Sequence, residues 1–192
     1  MVTRLSLVIV KGQFPVDQSR LLFQGDRFDV VDVRRVAPDG TMCNRQAIQH
    51  PGAVTLLPLL GDGRICLLQN YRATVDLTLI ELPAGTIEPG EAPAQTAVRE
   101  LAEETGYRAG RIELLTTFYM SPGILDEKMY LYLATHLESG PVALQPDEHI
   151  VPVLTTWDEA LAMVQDGRIQ DAKTLTGLLY FDRFGEPRGD RS

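Results

Sequence analysis

The stretch that most narrows the folds open to this chain is GTIEPGEAPAQTAVRELAEETGY, residues 85–107. Pro93 suits a first helical turn and Gly106 a helical stop, so a helix is expected over roughly residues 93–105. On that helix Glu100 projects beside both Glu103 and Glu104, because positions three and four apart share a face. Ala97, Val98, Leu101 and Ala102 supply the apolar side, which turns the acidic face towards a neighbouring loop or solvent. Arg99 offers partial neutralisation through its spacing to Glu103. Three converging carboxylates repel one another, and a hard dication such as Mg2+ or Mn2+ would convert that repulsion into shared attraction. The ordinary alternative is a solvated face in an acidic protein, and the spacing of three acids does not decide between them.

Strand-like patterns flank this helix. LSLVIV and FDVVDVRRV read as strands, the second ending at a Pro38-Asp39-Gly40 turn, which suggests an antiparallel N-terminal element. AVTLLPLL, a Gly61-Asp62-Gly63 turn and RICLLQNY read as a hairpin with one well-buried strand. RIELLTTFYM and KMYLYLATH are further strands, separated by SPGILDE, whose Pro and Gly forbid regular structure. VPVL is a short strand after the polar loop LQPDEH; Thr156 with Glu159 opens a helix through about Gln165, and Asp171 caps a last helix ending near Phe184. The expected division is an N-terminal β element over 1–46, a main domain over 47–185 and a disordered tail over 186–192.

Composition excludes several function classes. The 18 basic and 26 acidic side chains leave a formal charge of -8, which opposes binding to nucleic acid or to an anionic membrane surface. No apolar run approaches the ~20 residues of a membrane span, and the opening MVTRLSLVIVKGQF lacks a signal-cleavage pattern, so a cytoplasmic protein is expected. Cys43 and Cys66 show no Cys-x-x-Cys spacing, and His50, His136 and His149 add no zinc pattern. Cys66 reads as a small buried hydrophobe.

Taken together, Gly85, Glu91 after five intervening residues, Arg99-Glu100 after seven more, then Leu101, Glu103-Glu104, Gly106 and Tyr107 resemble the Nudix box, the signature of Nudix hydrolases. Tyr107 stands where that family more often has an aliphatic residue. ELPAG, NYR at 70–72 and SPGILDE at 121–127, with Pro122 about fifteen residues beyond the box, resemble the branch of ADP-ribose and nucleotide-sugar pyrophosphatases. The resemblance implies an α+β fold, a Nudix α/β/α sandwich around a mixed sheet with a small N-terminal antiparallel element. It also implies Mg2+-dependent hydrolysis, with Mn2+ as a substitute and two or more ions, of ADP-ribose to AMP and ribose 5-phosphate. GDP-mannose or another nucleotide sugar is the alternative substrate, and a catalytically silent ligand sensor the alternative of another class. A homodimer joined through the N-terminal strands is implied as well.

Carried over residue by residue, the resemblance makes Glu100 and Glu104 the principal metal ligands, with Glu103 supporting them and the Ala84 carbonyl joining from the loop. Glu103 and Glu104 thereby belong to the catalytic set, with Glu148 in PDEH as general base and His149 as its competitor. Glu91 and Arg99 would orient loop against helix. Arg72 would meet the substrate phosphates, with Glu81 of ELPAG in the same site. Ser121, Gly123 and Glu127 would border the distal ribose, and Arg45 would reach substrate from the N-terminal element. Pro146 departs from the branch, which usually carries a second acid there.

Overall fold

The computed structural model describes residues 16–37, 39–144 and 149–185. The expected LSLVIV strand, Glu148 with most of its loop, and the tail from 186 lie outside them. The chain forms two compact units, one reaching to His50 and taking in Ser121–Asp126, the other made of Pro51–Met120 and the chain from Glu127 onward.

The first unit is an antiparallel sheet in the order β1 (Val16–Gln24), β2 (Asp29–Val36) and β3 (Met42–Gln49). The turn between β2 and β3 falls where Asp39-Gly40 placed it: Gly40 takes φ of 82°, which glycine adopts without steric penalty, and its N–H donates to the Ala37 carbonyl at 2.9 Å. β1 and β3 escaped the sequence reading, because VDQSRLLFQ and MCNRQAIQ carry too few alternating apolar residues to signal strands. The Pro-Gly segment is irregular as expected. It is tied to this sheet by Ile48 N–H on the Ile124 carbonyl at 2.8 Å and Asp126 N–H on the Ile48 carbonyl at 3.1 Å.

The second unit holds β4 (Ala53–Pro58), β5 (Ile65–Arg72), β6 (Leu77–Glu81), β7 (Ala84–Thr86), α1 (Pro93–Thr105), β8 (Tyr107–Tyr119), β9 (Lys128–Ser139), β10 (Ile150–Thr155), α2 (Trp157–Gln165) and α3 (Ala172–Phe184). One sheet, β7-β4-β9-β8, is mixed, with β4 parallel to β9; the other, β10-β5-β6, is antiparallel. The hairpin expected across Gly61–Gly63 is corrected here. β4 and β5 belong to different sheets, and a single bridge, Leu59 with Ile65, joins the two arms. β4 is buried throughout and β5 over its first four residues, which suits interior strands with partners on either side better than a two-stranded ribbon.

Side-chain alternation on β4 and β9 divides the core. Val54, Leu56, Tyr132 and Ala134 face Ala97 and Leu101 of α1, while Leu57 and Leu131 join Ile65, Leu67, Trp157, Leu178 and Phe181 on the side of α2 and α3. Helices therefore cover both faces of a mixed sheet, and the α+β sandwich expected from the sequence is what forms.

The helix ends follow local chemistry. α1 starts with Pro93, its Ala92 N–H is taken by Gln95 Oε1 at 2.9 Å, and it stops at Gly106, which takes φ of 73°. Thr156 accepts from Glu159 N–H at 3.2 Å to cap α2, and Asp171 accepts from Thr174 N–H at 3.0 Å to cap α3. Among the described residues no helix is long and apolar enough to cross a membrane.

Candidate active site

The acidic face of α1 rests on the backbone of β7. Glu100 and Glu104 are 7% and 3% exposed, and Ala84 N–H donates to Glu104 Oε2 at 2.9 Å. Gly85 is required by closeness: a Cβ there would fall 1.8 Å from Glu100 Oε1. The glycine at the start of the motif is thus the floor on which one glutamate lies.

Arg99 stands among these acids. Its Nε and Nη2 donate to Glu91 at 3.1 and 3.0 Å, and its Nη1 donates to Glu100 Oε1 at 2.7 Å and to Glu103 Oε2 at 3.2 Å. The forked Arg99–Glu91 pair expected between loop and helix is in place. Hydrogen bonds from Arg99, with a further one from the Thr96 hydroxyl, hold the Glu91 carboxyl down at about 2, while Glu91 raises the Arg99 guanidinium above its usual range.

The fit to a dication can be judged from this donor set. Three carboxylates meet one guanidinium, and Glu104 adds a fourth acid that is almost fully buried; oxygen donors with surplus negative charge suit a hard divalent ion. Convergence is another matter. Among the described residues no three ligating side chains gather at one point, because Arg99 spans Glu100 and Glu103 while Glu104 turns to the Ala84 amide. The helical spacing placed the three glutamates on neighbouring positions, and Glu100 and Glu103 share one Arg99 nitrogen.

Next to β7 lies an open cleft of about 310 Å³ lined by Arg72, Glu81, Gly85, Glu127, Asp171 and Lys173, among others. At its base Glu81, 1% exposed, accepts two parallel bonds from Arg72, Nε to Oε1 at 2.9 Å and Nη2 to Oε2 at 2.6 Å. Lys173 Nζ donates to Glu81 Oε2 at 2.5 Å and pairs with Asp171 Oδ2 at 2.9 Å. Burial pushes the Glu81 carboxyl up, but Arg72 and Lys173 together outweigh it and leave the group below the ordinary carboxylate range. The bond to Glu81 raises the Arg72 guanidinium.

Arg72, Glu81, Ala84 and Glu127 are therefore side by side on one cleft, with Glu104 bonded to its Ala84 wall. Arg45, Ser121 and Gly123 belong to the first unit. There Arg45 Nη1 donates to the Asn44 carbonyl, Ser121 accepts through its carbonyl from Ile124 and Leu125, and Gly123 has open space where a Cβ would stand. His149 is exposed, its carbonyl accepting from Tyr71 N–H at 3.2 Å. Lys173 was not anticipated. One signal pointed to it: a lysine in the first turn of a helix opposes the positive end of the helix dipole and requires a compensating anion.

Comparison with known proteins identifies the family. The family model described as NUDIX domain matches residues 49–177. An ADP-ribose pyrophosphatase of Bacillus subtilis is 36% identical over 161 residues, covering 83% of this chain and 87% of that protein. A methanol dehydrogenase activator of Bacillus methanolicus is 38% identical over 145 residues, 74% of this chain and 78% of its own. A solved structure described as an ADP compounds hydrolase superposes with a TM-score of 0.76 at 20% identity, covering 90% of this chain and 94% of that one. A match over most of the chain, on a fold whose acidic helix sits against a glycine floor, leaves one conclusion: the chain belongs to the Nudix family and is a Nudix pyrophosphohydrolase.

Proposed function

We propose that this enzyme hydrolyses the diphosphate bond of ADP-ribose to AMP and ribose 5-phosphate, using two or more Mg2+ ions, or Mn2+ in their place. The observation that carries the reading is the seating of two buried glutamates, Glu100 and Glu104, on the Ala84–Gly85 backbone that walls the Arg72 cleft. The Bacillus subtilis relative is named for this reaction, which supports ADP-ribose over other nucleotide sugars.

Glu100, Glu103, Glu104 and the Ala84 carbonyl would hold the ions. When bound, a divalent ion neutralises phosphate oxygens and makes a water easier to deprotonate. Arg72 offers a planar guanidinium to the non-bridging oxygens, steadied from behind by Glu81. Glu148 accepts the proton of the attacking water; the water oxygen bonds to phosphorus as the bridging P–O bond breaks, leaving one phosphate on each product. Glu127 would border the distal ribose, a role the family resemblance also gives to Ser121 and Gly123, with Arg45 as a further substrate contact. The protein acts as a homodimer through the N-terminal sheet, where Leu21, Phe23, Phe28 and Met42 expose large apolar side chains.

The test is a panel of ADP-ribose, GDP-mannose, UDP-glucose, NADH and diadenosine polyphosphates with Mg2+, each read by the nucleotide released. AMP should appear fastest from ADP-ribose. Preference for GDP-mannose would transfer the reading to that substrate, and silence across the panel would leave a ligand sensor.

A further inference from the structure

The cleft contains a charged group that the reaction scheme leaves without a task. Lys173 is 6% exposed and ends on two carboxylates, Glu81 Oε2 at 2.5 Å and Asp171 Oδ2 at 2.9 Å. The connection continues through Thr174, which is fully buried. Its hydroxyl donates to Asp171 Oδ2 at 2.6 Å and accepts from Leu82 N–H at 2.7 Å. The first turn of α3 is thereby fastened at two successive residues, Glu81 and Leu82, to the strand end that leads into Ala84.

A buried carboxylate with one charged partner is an expensive arrangement, and two partners in fixed positions make it tolerable. Here the second partner has a geometric effect. Arg72 spends Nε and Nη2 on Glu81, and among the described residues its Nη1 donates to nothing, so the orientation of Glu81 decides where that remaining edge points. Charge gives a second effect. Arg72 and Lys173 balance Glu81 and Asp171; without Lys173 the group carries a net negative charge beside a cleft that must admit a diphosphate.

We propose that Lys173 is a positioning residue for phosphate binding: by clamping Glu81 between itself and Arg72 it aims the Arg72 guanidinium at the substrate diphosphate and cancels the charge that would repel it. The inference rests on the proposed function, and on the phosphate-binding role of Arg72 in particular. Lys173 acts through Arg72 without touching the reacting atoms.

The experiment measures binding of inorganic pyrophosphate and of ADP-ribose by calorimetry without divalent ions, for the wild type, Lys173→Met, Arg72→Ala and the double variant, alongside kcat and KM with Mg2+. Lys173→Met should weaken pyrophosphate binding about tenfold or more and raise KM while kcat stays within about threefold. The double variant should bind no more weakly than Arg72→Ala alone. Lys173→Arg, which keeps the charge, should recover most of the loss; should Lys173→Met fail to fold, Lys173→Gln, which keeps a hydrogen bond to Glu81 without the charge, must show the same weakening. Unchanged pyrophosphate binding in the folded neutral variants, losses that multiply in the double variant, or a wild type that does not bind pyrophosphate would each overturn the inference. Pyrophosphate binding that depends on Lys173 in an enzyme releasing no AMP from ADP-ribose would sink the substrate reading and leave the positioning role standing.

Discussion

Glu104 is the residue at which metal chemistry and folding are most easily separated. Glu104→Gln retains an oxygen to accept the Ala84 N–H and removes the charge, so turnover should fall by about two orders of magnitude or more with little change in melting temperature. Steady-state kinetics beside a thermal melt decides it; near-normal turnover would refute the ligand assignment. Glu91 behaves differently, because its task is to hold Arg99. Its carboxyl is depressed to about 2, below the ~4.3 of an unfolded glutamate, so its contribution to stability is whole above that ordinary value and is lost as pH falls towards about 2. Melting curves of Glu91→Gln and wild type in metal-free buffer should differ most at neutral pH and converge through that acidic window. A constant gap down to pH 2 would mean that the ion pair contributes nothing to the fold.

At the scale of elements, what the sequence disclosed and what it withheld divide by range. The ends of α1 were legible because Pro93 and Gly106 act within one turn of themselves, and the caps of α2 and α3 were legible for the same reason. The pairing of β4 was not, since its neighbour β9 comes from the far side of α1 and β8, and nothing in AVTLLP names that partner. The site divides in the same way. Helical period placed Glu100, Glu103 and Glu104 together and Arg99 within reach of Glu103, but the reach of Lys173 to a glutamate 92 positions earlier depends on packing that no local pattern encodes. The contact between β7 and α1 offers its own test. Gly85→Ala would drive a methyl into the Glu100 carboxylate, which must swing aside, so the variant should stay folded and lose most of its activity. Full activity would show that Glu100 need not lie on that floor.

For the molecule as a whole, the N-terminal sheet is the least self-sufficient part. Leu21 and Phe23 are about half exposed on β1, at 51% and 55%, and a three-stranded sheet with such a surface gains stability from a cover. The double variant Leu21→Glu, Phe23→Glu should therefore run at half the mass of the wild type by light scattering after gel filtration. A wild type already at the mass of one chain would remove the homodimer from the proposal. The Nudix unit is a different case, since Leu56, Leu57, Leu67, Leu131 and Leu178 are wholly enclosed without a second copy.

The fastening of α3 to the end of β6 also has a consequence for how the protein is made. Both Glu81–Lys173 and Leu82–Thr174 join positions 92 apart, so during translation the Arg72 end of the cleft cannot assemble until α3 has emerged from the ribosome. A nascent chain halted before Asp171 holds every residue of the acidic motif and lacks the Lys173 contact to Glu81, which makes the emergence of α3 the step that closes this end of the cleft.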